Sequence, residues 1–229
     1  MIICHTHRFI FIKSRKTAGT SLESALSHHC SGDDVVTPLG DYRVNRDRDG
    51  NWVHRAMNAD NFEQHDAAAV IRSRVPADVW RTYFKFSIAR NPWDRMVSEF
   101  FWKHRNDAAL RPRKRFYHRL GVPFDELAQQ RVIFADFVLR GTRENNDRFY
   151  VIDDALCVDY VIRYENLLYG LAEVCDRIGL PVPSLPALKA GLRTAGHHYS
   201  EYYDAATRQS VAARHQNDIR LLGYAFEEA

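Results

Sequence analysis

The sequence predicts an α/β fold with a central, mostly parallel sheet flanked by helices. Three stretches carry that prediction. Arg8–Lys13 (RFIFIK) is a run of β-branched and aromatic residues, with Phe9 and Phe11 on one strand face and Ile10 and Ile12 on the other. A strand apolar on both faces is covered on both, as in parallel sheets. Tyr83–Ala89 (YFKFSIA) and Tyr160–Arg163 (YVIR) are the second and third strand candidates, and helical spacing follows each. Strands alternating with helices argue for one domain over residues 1–229.

The elements follow in order. After the first strand comes a small polar loop, SRKTAGTS, then Leu22, Ala25 and Leu26 at helical spacing. Thr20 and Glu23 stand three apart, which predicts a capping box at the helix start. Residues 30–53 are rich in Gly, Asp, Asn and Arg and read as a loop or hairpin, with Tyr42 and Val44 on a short strand. His54–Arg74 has mixed helical spacing, broken by Pro76. At the end of the second strand, Asn91-Pro92 opens a helix, Asn as cap and Pro at the first position. Met96, Val97, Phe100, Phe101 and His104 form its core stripe. Residues 105–131 are polar and basic. Their RPRKR run at 111–115 reads most simply as solvated surface, and alternatively as a docking patch for an acidic acceptor. Val132–Leu139 reads as a helix ended by Arg140-Gly141, and 166–178 as another ended by Gly179. Asp204 starts a last helix running through LLGY, with Val211, His215 and Leu222 inward.

Composition sets bounds. A chain with 45% hydrophobic and 27% charged residues is ordinary globular material. A net charge of +3 suits an anionic ligand but does not argue for nucleic acid. Cys4, Cys30, Cys157 and Cys175 show no CxxC, so their spacing predicts neither a disulfide framework nor a metal site, and points to a reducing compartment. No apolar run reaches the roughly 18–20 residues that span a bilayer, and the first residues do not read as a signal peptide. A cytoplasmic protein without stable membrane insertion is expected.

The chemistry concentrates at two strand–helix junctions. N–H groups at a helix start carry partial positive charge and bind phosphate or sulfate. In SRKTAGTS, Lys16 adds a full charge, Gly19 permits close approach, and Thr17, Thr20 and Ser21 add hydroxyls. The kinase pattern GxxxxGK[ST] is not met, because Lys16 precedes the glycine. Ligands of open parallel sheets sit at the carboxyl ends of strands, which puts Lys16 and Arg90 on one rim. Ser98, about two turns into the next helix, would hold a second phosphate with Arg90.

KTAGTS at 16–21 resembles the 5′-phosphosulfate loop of PAPS-dependent sulfotransferases, PKTAGTS, with Arg15 where the family has proline. ARNPWDRMVSEFFW resembles their 3′-phosphate segment, RNPxDRxVSxY. DYVIRYENL at 159–167 looks like a later junction, and HYSEYYDAATRQSVAARHQNDIRLLGY resembles the C-terminal segment of bacterial members of the family-2 type, related to uronyl and heparan 2-O-sulfotransferases. The resemblance implies a P-loop-like three-layer fold. It also implies transfer of a sulfuryl group from PAPS, leaving PAP, to a hydroxyl or amine of a carbohydrate or other small acceptor. Carried over by position, cofactor contacts fall on Arg15, Lys16, Thr17, Ala18, Gly19, Thr20, Ser21, Arg90 and Ser98, with Lys16 stabilising the leaving phosphate. No metal is required. A histidine between the two motifs serves as base in this family, which makes His54 the expected base. His197 and His198 stand in reserve, with Arg193 and His197 as closing contacts. Two rival readings are an ATP-dependent kinase and a non-catalytic protein that binds a nucleotide or an anionic glycan.

Overall fold

The computed structural model describes residues 1–39, 54–106, 119, 125–141, 145–185 and 197–229. Tyr42, Val44, the 111–115 run and Arg193 lie outside them. The chain groups into two compact units, Met1–Arg90 with Asn146–Ala190, and Asn91–Asn145 with Gly191–Ala229.

The first unit holds a five-stranded sheet of β1 (Ile2–Cys4), β2 (Phe9–Ile12), β3 (Val35–Val36), β4 (Phe84–Ala89) and β7 (Tyr160–Arg163), in the order β3-β1-β2-β4-β7. β2, β4 and β7 are parallel, as their sequences predict. β1 pairs antiparallel with both β2 and β3, so one side of the sheet departs from the parallel expectation. The reason is connection length. Four residues join β1 to β2, enough for a hairpin, whereas a parallel pair needs a crossover of a dozen or more.

All four residues of β2 are fully buried, which is why both its faces are apolar. Phe11 lies opposite Phe86, their rings stacked at 5.2 Å. On that face α1 (Gly19–Ser27) contributes Leu22 and Leu26, and α6 (Leu167–Ile178) contributes Leu171, Val174 and Ile178. Gly179 adopts φ 69 and ends α6 as predicted. The expected helix over 54–74 contracts to α2 (Ala68–Arg74), and α3 (Ala77–Thr82) precedes β4. β5 (Val151–Ile152) and β6 (Ala155–Leu156) make a hairpin whose turn residues Asp153 and Asp154 both take positive φ, the type I′ requirement.

The second unit is helical: α4 (Pro92–Lys103), α5 (Glu126–Arg140), α7 (Ala205–Arg214) and α8 (Gln216–Leu222). Asn91 caps α4, accepting from the Trp93 amide at 3.1 Å. Met96, Val97, Phe100 and Phe101 are buried with Phe134, Phe137, Tyr202 and Val211, as the stripe predicts. The single C-terminal helix expected from Asp204 onward is two. His215 leaves helical geometry (φ −115, ψ 38), and its ring is buried between Arg95, which donates to Nε2 at 3.1 Å, and Asp218, which accepts from Nδ1 at 3.2 Å. Those two polar contacts outweigh continuing the helix. No helix among the described residues is long and apolar enough to cross a membrane.

Candidate active site

The loop between β2 and α1 has a backbone of alternating hand. Lys16 (φ 64) and Ala18 (φ 59) are both left-handed, with Thr17 between them. Alternation of this kind turns successive N–H groups toward one point and forms an anion-binding concavity. A non-glycine residue in this region costs about 1–2 kcal/mol, so two in three residues must be held there by their surroundings.

Three contacts hold them. Thr17 is fully buried and its hydroxyl lies 2.7 Å from Ser14 Oγ, which donates to the Ile88 carbonyl. Arg90, at the end of β4, donates from Nη1 to the Lys16 carbonyl at 3.2 Å and lies 4.1 Å over the Tyr164 ring. Asn146, itself buried, receives the Arg15 amide at 3.4 Å and donates to the Arg15 carbonyl at 2.7 Å. The last pair gives the proline replacement a physical account: proline has no N–H, and Arg15 uses one to reach Asn146.

The expected capping box does not form. α1 starts at Gly19 with Ala18 as its cap, and no side chain caps it. Glu23 instead accepts from Lys13 Nζ at 2.6 Å, with both groups buried. Burial alone would raise the Glu23 pKa, but the Met1 amine and the Lys13 ammonium hold it below the usual carboxylate range. Gly19 packs directly on this pair: a Cβ there would lie 2.9 Å from Lys13 Cγ. Since Lys13 is anchored at Glu23, the chain cannot yield freely, and Gly19→Ala should cost about 1–3 kcal/mol of stability, read as a lower denaturant midpoint.

Lys16 and Arg90 are thus brought together as expected, with Ala18, Gly19, Thr20 and Ser21 at the adjoining helix start. Arg15 is exposed at the loop's edge. Ser98 sits on a half-buried face of α4 with Asp94 and Trp102, away from the apolar stripe.

The histidines occupy distinct environments. His54 is fully buried; its Nε2 lies 2.8 Å from the Thr37 carbonyl, its Nδ1 has no hydrogen-bond partner among the described residues, and burial lowers its pKa. His65 is half-buried and directs Nδ1 to the Lys13 carbonyl at 3.0 Å, at the mouth of the loop. A carbonyl can only accept, so Nδ1 carries the proton and Nε2 is the basic nitrogen. Burial first, then the Lys13 charge and that of Arg15, push the His65 pKa down to about 3. In the second unit, His197 pairs with Glu201 at 3.0 Å, and His198 caps the 3-10 turn Tyr199–Tyr202. Asn146, Tyr164 and His65 were not legible as site residues. The only sequence signal for His65 was its place between the two motifs, which His54 shares.

Comparison with known proteins agrees with this arrangement. Residues 1–225 match the sulfotransferase family. An uncharacterised protein of Archaeoglobus fulgidus is 29% identical over 114 residues, covering 50% of this chain and 82% of that protein. No solved structure matches. A match over nearly the whole length, with the anion loop and Arg90 lying within it, establishes that this chain belongs to the sulfotransferase family, in its family-2 group.

Proposed function

We propose that this sulfotransferase draws its sulfuryl group from PAPS and delivers it, by in-line displacement, to a hydroxyl or amine of a carbohydrate or other small acceptor. One observation carries the reading. The left-handed loop around Lys16 and the Arg90 guanidinium share the Lys16 carbonyl, so two cationic anion sites are built as one piece. A donor with a 5′-phosphosulfate and a 3′-phosphate matches that pairing.

Bound PAPS supplies a sulfuryl group on a phosphate leaving group. Lys16, with the amides of Thr17 to Thr20, stabilises charge that grows on that phosphate as its bond breaks. Arg90, stacked on the Tyr164 ring, would meet the 3′-phosphate with its guanidinium. The role of Ser98 rests on the RNPxDRxVSxY likeness. His65, oriented by the Lys13 carbonyl, takes the acceptor proton at Nε2 during attack. We assign the base there rather than to His54, whose ring is fully buried and directs Nε2 to the Thr37 carbonyl. Charge stabilisation by Lys16 and the amides needs no metal.

The test is thermal. At 100 times its dissociation constant, PAP should stabilise the protein by about 2.7 kcal/mol, and ATP at equal concentration far less. Arg90→Ala should erase the difference and raise the PAPS KM. Equal shifts from ATP and PAP on the wild type would replace this reading with a general nucleotide site.

A further inference from the structure

Asp34 is fully buried in the first unit, and no Lys or Arg pairs with it among the described residues. Its carboxylate is held charged all the same. Oδ1 accepts from the His5 and Thr6 amides at 2.6 and 3.2 Å, and Oδ2 from the Ser31 amide at 2.9 Å and Thr6 Oγ1 at 3.1 Å. Burial would raise its pKa, and these N–H donors outweigh it and lower it. Beside the carboxylate stand two buried thiols. Cys4 Sγ donates to Oδ2 at 3.3 Å, and Cys30 Sγ completes a set of three ligand atoms all within 4.8 Å of one another.

The three come from separate elements: Cys4 from the end of β1, Cys30 from just beyond α1, Asp34 from the turn before β3. Four histidines, His5, His7, His28 and His29, border them in sequence as CHTH and HHC. His7 also gives its amide to Cys4 Sγ at 3.3 Å. Amide donors on ligand sulfur and carboxylate are the outer contacts that orient the first shell of a metal centre.

We propose that Cys4, Cys30 and Asp34 form a structural site for one thiophilic divalent cation of the zinc class. Tetrahedral zinc with sulfur and oxygen ligands sets them about 3.5 Å apart. The Cys4–Asp34 contact already has that spacing, with the thiol proton where the metal would stand. Binding exchanges the proton of each thiol for the cation; no electron is transferred. The cation would supply the charge that buried Asp34 lacks and would tie β1, the end of α1 and β3 together. This site lies apart from the chemistry assigned to Lys16, Arg90 and His65, and its test does not depend on turnover.

The experiment uses the full chain, stripped by chelator under reductant and titrated with Co²⁺. One equivalent should produce a sulfur-to-cobalt charge-transfer band with the visible spectrum of a tetrahedral site, and Zn²⁺ should bleach both. In parallel, Zn²⁺ should protect Cys4 and Cys30 together from alkylation, mapped by peptide mass, and leave Cys157 labelled at its original rate. Thr6→Val, which removes an outer contact from an exposed position, should weaken cobalt binding about 10–100-fold. The proposal is overturned if no thiolate band appears, if the band survives in Cys4→Ser/Cys30→Ser, or if Zn²⁺ leaves the labelling of Cys4 and Cys30 in the wild type unchanged.

Discussion

Lys16→Ala should lower kcat about 10²–10³-fold while leaving the affinity for PAP within a small factor of wild type. The size follows from where the charge is needed. An ammonium beside the leaving phosphate matters most as negative charge accumulates there, so its loss falls on the transition state more than on the ground state. The structure makes this substitution informative. Arg90 holds the loop through the Lys16 carbonyl, and Thr17 braces it through Ser14; neither contact uses the lysine side chain. Alanine also meets the same left-handed backbone penalty as lysine, so both braces on the loop remain when the lysine side chain is removed. Lys16→Arg should recover part of the rate. Intact turnover with weakened PAP binding would instead make Lys16 a ground-state ligand.

His65→Asn should lower turnover by about 10²–10⁴-fold. Asparagine presents an N–H near the position of Nδ1, so the contact with the Lys13 carbonyl survives while the basic nitrogen is lost. His54→Gln, measured alongside, should retain turnover; the reverse pattern would return the role of base to His54. The pH dependence has a definite sign. With its folded pKa near 3 against the ordinary 6.5, neutral His65 contributes stability that is fully present above about pH 6.5. That contribution is lost as pH falls toward 3, and His65→Asn should flatten this part of the stability profile. The same shift puts the acid limb of the free enzyme's rate profile below the ordinary imidazole range. An anion on the loop offsets the Lys13 and Arg15 charges, so ligand binding should raise the His65 pKa by their part and leave the larger effect of burial in place.

Much of this protein is local and therefore legible in its sequence. β2 announces itself because it is buried on both faces, which leaves a continuous apolar run, whereas β4 and β7 show through their β-branched and aromatic residues. Asn91-Pro92 and Gly179 mark helix ends because cap chemistry depends on a few neighbouring residues. Lys16 and Arg90 could be assigned to one rim because parallel strands feeding helices put their carboxyl ends on the same side of the sheet. What the tertiary structure alone decided depends on contacts between distant segments. β1 and β3, three and two residues long, carry no period and exist through pairing with neighbours. Glu23 reads as a helix cap until Lys13, ten residues earlier, claims its carboxylate inside the core, where a buried charge must be paired. The choice between His54 and His65 turns on which ring folding buries and which it leaves at the loop, and both stand in the same interval of sequence. Cys4, Cys30 and Asp34 show no metal-binding spacing, because their juxtaposition is made by the packing of β1, α1 and the turn before β3.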